Sequence, residues 1–529
     1  MKKYIKAGLL LLLAVAPVIL IFILISGENV QPEYDFDNDY VLEDIGDNAE
    51  INHGDTNIDA EIMDTSQVTT LRLGGMFIPF SISSEVDFFN MTNELYNIEI
   101  VETFNWTWVS DSTVIMETHT GETITITTTG AEADDDAGWQ DSLWRAMRES
   151  SEELLREGDF DIIVTSSDFL LDFWDSSISW VDLYALIDAD PLLSRTDFFP
   201  NVLHAGEAPD GTLPLFTPGF IISTMISMQG AAEQVMPLTI ENLHNHLLEQ
   251  DTQKFTTSDS HLASIMSLII WSSENHFVDI ERGIANFNSD DFISTLELLH
   301  HVSPHPSTEF AWWEADEEAQ EAHFEELMRY RESEVERFER GEILLYPFTM
   351  SDPMQFHVMK TALDGVIATG VPSIEGGNHI ILTNEQIGIN ADSPHQDAAW
   401  NFLRRLMSYS PAYITPRHSL PTRIDMFEAS MERVTRPAFH GGAEYPRTRE
   451  WRGPTGWLAP VRLRVYAMTA AEVEVFREII TTAIAPRPIP IEIQMILLEE
   501  TERFIYQNRT AEETASIIQT RVQDFLDSR

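Results

Sequence analysis

Gly158-Asp-Phe-Asp-Ile-Ile-Val-Thr-Ser-Ser167 decides the fold. Its centre, Asp161-Ile-Ile-Val-Thr165, is a short apolar run without polar alternation. That is the pattern of a strand covered on both faces in a parallel sheet. Gly158 is a natural stop for the helix that the spacing predicts from Gln140 to Glu157. Upstream, Thr70-Leu-Arg-Leu-Gly74 alternates as a strand does. Ser84 to Tyr96 reads as a helix, with Val86, Phe89 and Leu95 on or near one face, and Ile98 to Phe104 reads as a second strand. Strand, helix, strand, helix, strand is the order of a βαβ sheet domain. Between the second strand and its helix, Val114 to Thr129 is rich in Thr and β-branched residues. It predicts an inserted hairpin turning at Thr120-Gly121.

Further along, Asn288 to Val302 predicts a helix. Phe310 to Arg340 predicts a long charged one, striped by Phe324, Leu327, Met328, Val335 and Phe338. Ser393-Pro-His-Gln396 has the form of a capping box with Pro in the first turn, opening a helix whose apolar face is Ala399, Leu403, Leu406 and Met407. Two helices close the chain. Ile493, Leu497 and Phe504 stripe the one from Ile491 to Tyr506; Ile518, Val522 and Phe525 stripe the one opened by Thr510-Ala-Glu-Glu513. No fixed-period repeat is visible.

The chain has 529 residues, room for two or three domains, and a globular hydrophobic content of 43%. A net charge of -55 argues against nucleic acid and anionic membrane surfaces as partners, because phosphate contacts need Lys and Arg. There is no Cys, hence no disulfide, thiolate nucleophile or Cys-based metal site. Lysine is confined to Lys2, Lys3, Lys6, Lys254 and Lys360, so the cations are almost all Arg. Arg holds its charge at a pH where Lys begins to lose it, which suits alkaline or saline surroundings; a compositional bias explains it equally well.

Met1-Lys-Lys-Tyr-Ile-Lys6 precedes an uncharged apolar run from Ala7 to Ser26. At about 1.5 Å per residue such a run spans roughly 30 Å, the thickness of a bilayer core. Its lysines are expected to stay cytoplasmic, placing the rest of the chain outside. An uncleaved anchor over residues 1–26 is the favoured expectation, a cleaved signal peptide the other, because Leu24-Ile-Ser-Gly27 fits a cleavage site poorly. Residues 27–69 read as an acidic, extended linker. Its Asp35-Phe-Asp-Asn-Asp39 lacks the Gly and Glu spacing of a calcium loop.

Five segments, in order, carry a resemblance. They are Gly158 to Ser167; Asp182-Leu-Tyr-Ala-Leu-Ile-Asp188 through Asp197-Phe-Phe-Pro-Asn-Val-Leu203 to Pro209-Asp-Gly-Thr-Leu-Pro-Leu-Phe-Thr-Pro218; Asn275 to Phe292; Gly370-Val-Pro-Ser373 with Ile387 to Pro394 and Ala398-Ala-Trp-Asn-Phe-Leu403; and Glu499 to Phe504 with Thr510 to Ala515 and Gln519 to Val522. Together they resemble the extracellular solute-binding proteins of family 1, the maltose-binding type that serves ABC importers. The resemblance implies an α/β fold of two lobes with a hinge of crossover strands. By position, lobe one is 70–216 plus 378–422 and lobe two 217–377 plus 423–529. It implies a monomer that is no enzyme, uses no cofactor or metal, and holds a small solute, a sugar, between its lobes for delivery to the transmembrane subunits of an ABC permease. A membrane-tethered ligand-sensing or interaction module is the alternative. The location implied is the outer face of a bacterial plasma membrane, or the medium if the first segment is cleaved. Lipoprotein anchoring, common in that family, is excluded by the lack of Cys.

A sugar site wants aromatic platforms and polar side chains. The resemblance places Ser166, Ser167, Asp168 and Phe169 in a loop facing the cleft, though Ser167 or Asp168 would serve equally as a helix cap. Phe77 follows the first strand. In lobe two, Trp271 ends an apolar helix and is either a cleft or a core residue; Tyr346, Phe348 and Met350 follow Gly341-Glu-Ile-Leu-Leu345; Gly376 and Gly377 form a loop near the return crossover. Pro490-Ile-Glu-Ile493 lacks the aromatic found there in relatives holding long sugars, which speaks against a long oligosaccharide. His244 and His246, two apart, miss the helical spacing of zinc ligands, and the looser His300 to His305 group fares no better. Asp168 with Asp172 has the composition of a glycosidase pair, but with 87 acidic residues such pairs arise by chance.

Overall fold

The computed structural model describes residues 68–75, 78–102, 104–110, 113–118, 123–127, 159–165, 178–250, 252–257, 262–302, 317–383, 385–408, 419–440, 443–454, 460–487, 489–506 and 509–528. The N-terminal anchor and linker, the helix expected at 140–157, Phe77, and Ser166 to Phe169 with Asp172 lie outside these residues. Among the described residues no helix is long and apolar enough to cross a membrane.

The first sheet begins with β1 (Thr69–Gly75), crosses through α1 (Phe80–Thr92) and returns in parallel as β2 (Tyr96–Glu102). A small antiparallel sheet follows, β3 (Phe104–Ser110), β4 (Thr113–Thr118) and β5 (Thr123–Thr127). Glu117 opposite Thr123 centres the β4–β5 connection where the hairpin was expected, and β3 extends that hairpin by a strand. β6 (Ile162–Thr165) is buried at every position and parallel to β1. Two short helices, α2 (Leu183–Ala189) and α3 (Pro200–His204), lead to the second sheet.

β7 (Gly219–Met228) is the spine of that sheet. After it come α4 (Ile240–Glu249), β8 (Lys254–Thr256), α5 (Leu262–Ser272), the hairpin β9 (Val278–Asp279) and β10 (Ile284–Ala285), α6 (Asp290–Leu298), and α7 (Glu317–Glu339). Then follow β11 (Ile343–Met350), α8 (Pro353–Ala362), β12 (Val366–Ala368) and β13 (Ile380–Leu382). β11 pairs one edge of β7, while β12 and β13 share the other. β14 (Gln386–Ile389) goes back to the first sheet, antiparallel to β6, completing the order β14-β6-β1-β2. α9 (Gln396–Ser408) covers it, and β15 (Leu420–Pro421) rejoins β7.

α10 (Ile424–Thr435) precedes two hairpins, β16 (Ala438–His440) with β17 (Ala443–Tyr445), and β18 (Arg447–Trp451) with β19 (Val461–Val465). α11 (Ala470–Thr482), α12 (Ile491–Tyr506) and α13 (Ala511–Asp527) end the chain.

This is a two-lobed α/β architecture with two main sheets. One apolar core packs on the first sheet, around Leu71, Ile162, Ile387 and Phe402. Two more flank the second, one holding Met225, Trp271 and Leu497, the other Ile222, Phe348 and Phe476.

Several elements depart from the sequence reading. α1 runs from Phe80 to Thr92 rather than from Ser84 to Tyr96. The Asn93 side-chain Oδ1 accepts from the amides of Leu95 and Tyr96, turning the chain into β2 and leaving Leu95 61% exposed. α7 buries His323, Leu327, Glu334 and Phe338, while Phe324 faces solvent. Glu334, in a helix read as long and charged, is fully buried and accepts hydrogen bonds from Tyr330 (2.6 Å) and Thr257. Ser393 accepts from the His395 amide (2.9 Å) and Gln396 reaches the Ala391 carbonyl, so the expected reciprocal box does not form. Ile380 to Leu382 belong to the second sheet, so the return crossing lies between Leu382 and Gln386 rather than at 378.

Candidate functional site

Three chain segments join the sheets. Phe216 exchanges both backbone hydrogen bonds with Ile387 of the first sheet (2.9 Å each), and Phe220, four residues on, pairs with Leu420. The second segment runs from Leu382 to Gln386. The third passes through Thr422, whose buried hydroxyl donates to the Thr217 carbonyl (2.6 Å), tying two crossings to each other. A Cβ on Gly219 would collide with Ser419 beside the same point. Few backbone links at the crossings and separate cores on either side are what a hinge requires.

Next to the second crossing, β7 changes partner on one edge, from β12 (at Ile226 to Met228) to β13 (at Ile221 to Ser223). Thr224 sits at that seam. Its hydroxyl accepts from the Gly370 amide (3.1 Å) and lies 2.9 Å from His379 Nδ1. Across β7, Phe348 is the direct partner of Thr224, so Phe348 and Thr224 share a face. Gly370, at φ 78°, admits no side chain, since a Cβ would lie 2.6 Å from the Asn378 amide nitrogen.

Gly376 and Gly377 form the tip of a loop closed by reciprocal bonds between Val371 and Asn378 (2.7 and 3.0 Å). Asn378 Nδ2 donates to the Ser272 carbonyl (2.7 Å), and the Ser272 hydroxyl donates to Val371 (2.8 Å). This fastens the loop to the end of α5, where Trp271 precedes Ser272. Trp271 is 9% exposed, and its indole N–H makes no hydrogen bond within the protein. A buried donor left without an acceptor costs about 1–3 kcal/mol.

The structure therefore gathers four of the expected residues, Trp271, Phe348, Gly376 and Gly377, around Asn378-His379. Met350 is a correction: it is fully buried in the core beneath α8 and offers no surface to a solute. Phe348 is 6% exposed and Tyr346 1%, so both pack chiefly as core. Thr224, Asn378 and His379 were missed. The signal available was a polar Asn378-His379 pair between a Gly-Gly turn and an apolar strand.

Burial pushes the His379 pKa down from 6.5 to about 4. The neutral ring is the one that fits the fold. Its folded value lies below the unfolded one, so the stability tied to it is complete above about pH 6.5 and is lost as pH falls toward 4. The shift corresponds to a loss on the order of 3 kcal/mol. Urea midpoints measured across that window are expected to fall less steeply in His379→Gln than in the native chain; parallel curves would show that His379 does not titrate as described.

The described histidines that were weighed as zinc ligands have other neighbours. His246 Nε2 lies 2.6 Å from Gln253 Oε1, and His244 Nε2 lies 2.9 Å from Glu297, poorly aligned for a hydrogen bond. His300 packs against Phe504. Among the described residues no cluster of three or more His, Asp or Glu has the geometry to hold a metal ion.

No family model matches the sequence, and no curated protein matches it. In three dimensions the chain is similar to the sugar-binding protein MalE of Xanthomonas citri (12% identity, TM-score 0.49, covering 87% of this chain and 98% of that one). It is also similar to an extracellular solute-binding protein family 1 member from Alicyclobacillus acidocaldarius (12%, TM-score 0.47, 87% and 98%). A third similar structure is maltose-bound T. maritima MalE3 (13%, TM-score 0.45, 87% and 100%).

Proposed function

We propose that this chain is an extracellular solute-binding protein that captures a small carbohydrate between its lobes and presents it to an ABC import permease, on the outer face of a bacterial plasma membrane. The observation that carries the reading is the pair of independently cored sheets joined by three adjacent crossings, with the Trp271–Asn378–His379 seam at one of them. A cleft between lobes is a usual ligand position, and a solute touching both lobes favours the closed state by its differential affinity. Trp271 supports the Gly376-Gly377 loop from the end of α5, and the glycine tip lets the ligand approach backbone. Ser166 to Phe169 and Phe77 would complete the site from lobe one. The similar Xanthomonas citri protein is sugar-binding and the T. maritima one is maltose-bound, which suits this ligand class.

The test is a thermal-shift screen of mono- and disaccharides, polyols and short peptides. One neutral sugar is expected to raise the transition by several degrees, as mass action requires when ligand far exceeds Kd. The same sugar should act at least tenfold more weakly on Trp271→Ala. A response to peptides alone, or to nothing in the panel, would overturn the carbohydrate reading.

A further inference from the structure

Seven arginines and two glutamates lie between Arg433 and Arg464, in a chain whose net charge is -55. In so acidic a protein an Arg is expected to find a carboxylate. Arg436, Arg452 and Arg462 do, at 3.4, 3.2 and 4.0 Å from Glu432, Glu450 and Glu450. Arg433, Arg447, Arg449 and Arg464 have none within ion-pair distance among the described residues. Arg447 and Arg449 are half-buried and stand two apart on β18, so their side chains share one face of the strand.

That face borders a shallow open groove between the hairpins, α8 and α10. Arg436, Arg447 and Arg449 line it with Tyr445 and Tyr466, over an apolar floor that includes Val434 and Val465. Both tyrosines are 56% exposed, and Phe439 nearby is 68% exposed. Asp352, half-buried, faces Arg433 and Arg449 and also caps α8, accepting from the Met354 amide (2.5 Å). The groove is thus a cationic face only partly offset by Glu432 and Asp352, with two exposed tyrosines on its rim.

We propose that this groove is a second binding site, for the carboxylate or phosphate group of a small organic anion that carries a ring. Guanidinium groups match the planar or tetrahedral oxygens of such groups, and tyrosine rings stack on the body that carries them. The acidity of the remaining chain repels longer polyanions such as nucleic acid. The site lies on the hairpins after α10, is built from other residues than the Trp271–His379 seam, and does not depend on the solute reading.

Isothermal titration with glucuronate, glucose 6-phosphate, neutral glucose and inorganic phosphate tests the proposal. At least one of the two sugar anions is expected to bind at least tenfold more tightly than glucose and than inorganic phosphate, and to weaken as salt rises. Arg447→Gln combined with Arg449→Gln should remove that binding while leaving the response to the neutral solute intact. Tyr466→Ala, an exposed change that the fold tolerates, should weaken the sugar anion severalfold but not inorganic phosphate. Equal binding of glucose and both sugar anions, unchanged binding in the double variant, or inorganic phosphate matching the sugar anions would each overturn it.

Discussion

Glu500→Ala is expected to destabilise the second lobe by about 3 kcal/mol, within the range of roughly 3–5 kcal/mol seen when one partner of a buried ion pair is removed. Glu500 is 1% exposed and lies on α12. Its carboxylate accepts from Arg503 (3.0 Å), Arg521 (2.6 Å) and Arg509. Arg521 belongs to α13 and Arg509 to the turn before it, so one carboxylate clamps both C-terminal helices. Its removal leaves a void and three cations around it. The guanidiniums are partly exposed and recover water, and Glu499 still pairs with Arg503 and Arg521, which holds the loss to the lower end. Urea unfolding followed by circular dichroism measures it; a change below about 1 kcal/mol would show that the cluster is merely a surface network.

Asp161→Ala is the second large effect, about 2–4 kcal/mol, from two hydrogen-bond partners left buried and unsatisfied. The Asp161 side chain accepts from the Arg72 amide (2.8 Å) on β1 and from the Ser393 hydroxyl (2.5 Å) before α9. Its own carbonyl accepts from Asn390 (3.1 Å). One residue thus fixes β6 against both neighbours and against the start of the covering helix. Adding Ser393→Ala removes one orphaned hydroxyl, so the double variant should lose less than the sum of the single losses. Strict additivity would show that the Asp161–Ser393 bond carries no coupling.

Local pattern made much of the fold legible. The penultimate helix runs from Ile491 to Tyr506 as expected, and Thr510 caps its successor by accepting from the Glu513 amide (3.1 Å). Ile162 to Thr165 are buried in a parallel pair as the apolar run required. What escaped depends on contacts distant in sequence. Nothing in Glu499-Glu-Thr-Glu502 distinguishes Glu500, because three arginines reach it only after the helices pack. On α7 the charge pattern hid Glu334, whose donor Thr257 lies 77 residues away. The site was legible to the same degree. A Gly-Gly loop and an aromatic at a helix end are local signals. Thr224 and His379 meet across 155 residues, at a strand edge whose change of partner no spacing reveals.

Solute-driven closure about the three crossings is the central claim. Small-angle X-ray scattering of the full chain, with and without the sugar found by the thermal screen, tests it most directly. The account predicts a smaller radius of gyration with sugar, and no contraction in Trp271→Ala at the same concentration. A sugar that binds tightly while leaving the scattering curve unchanged would contradict it.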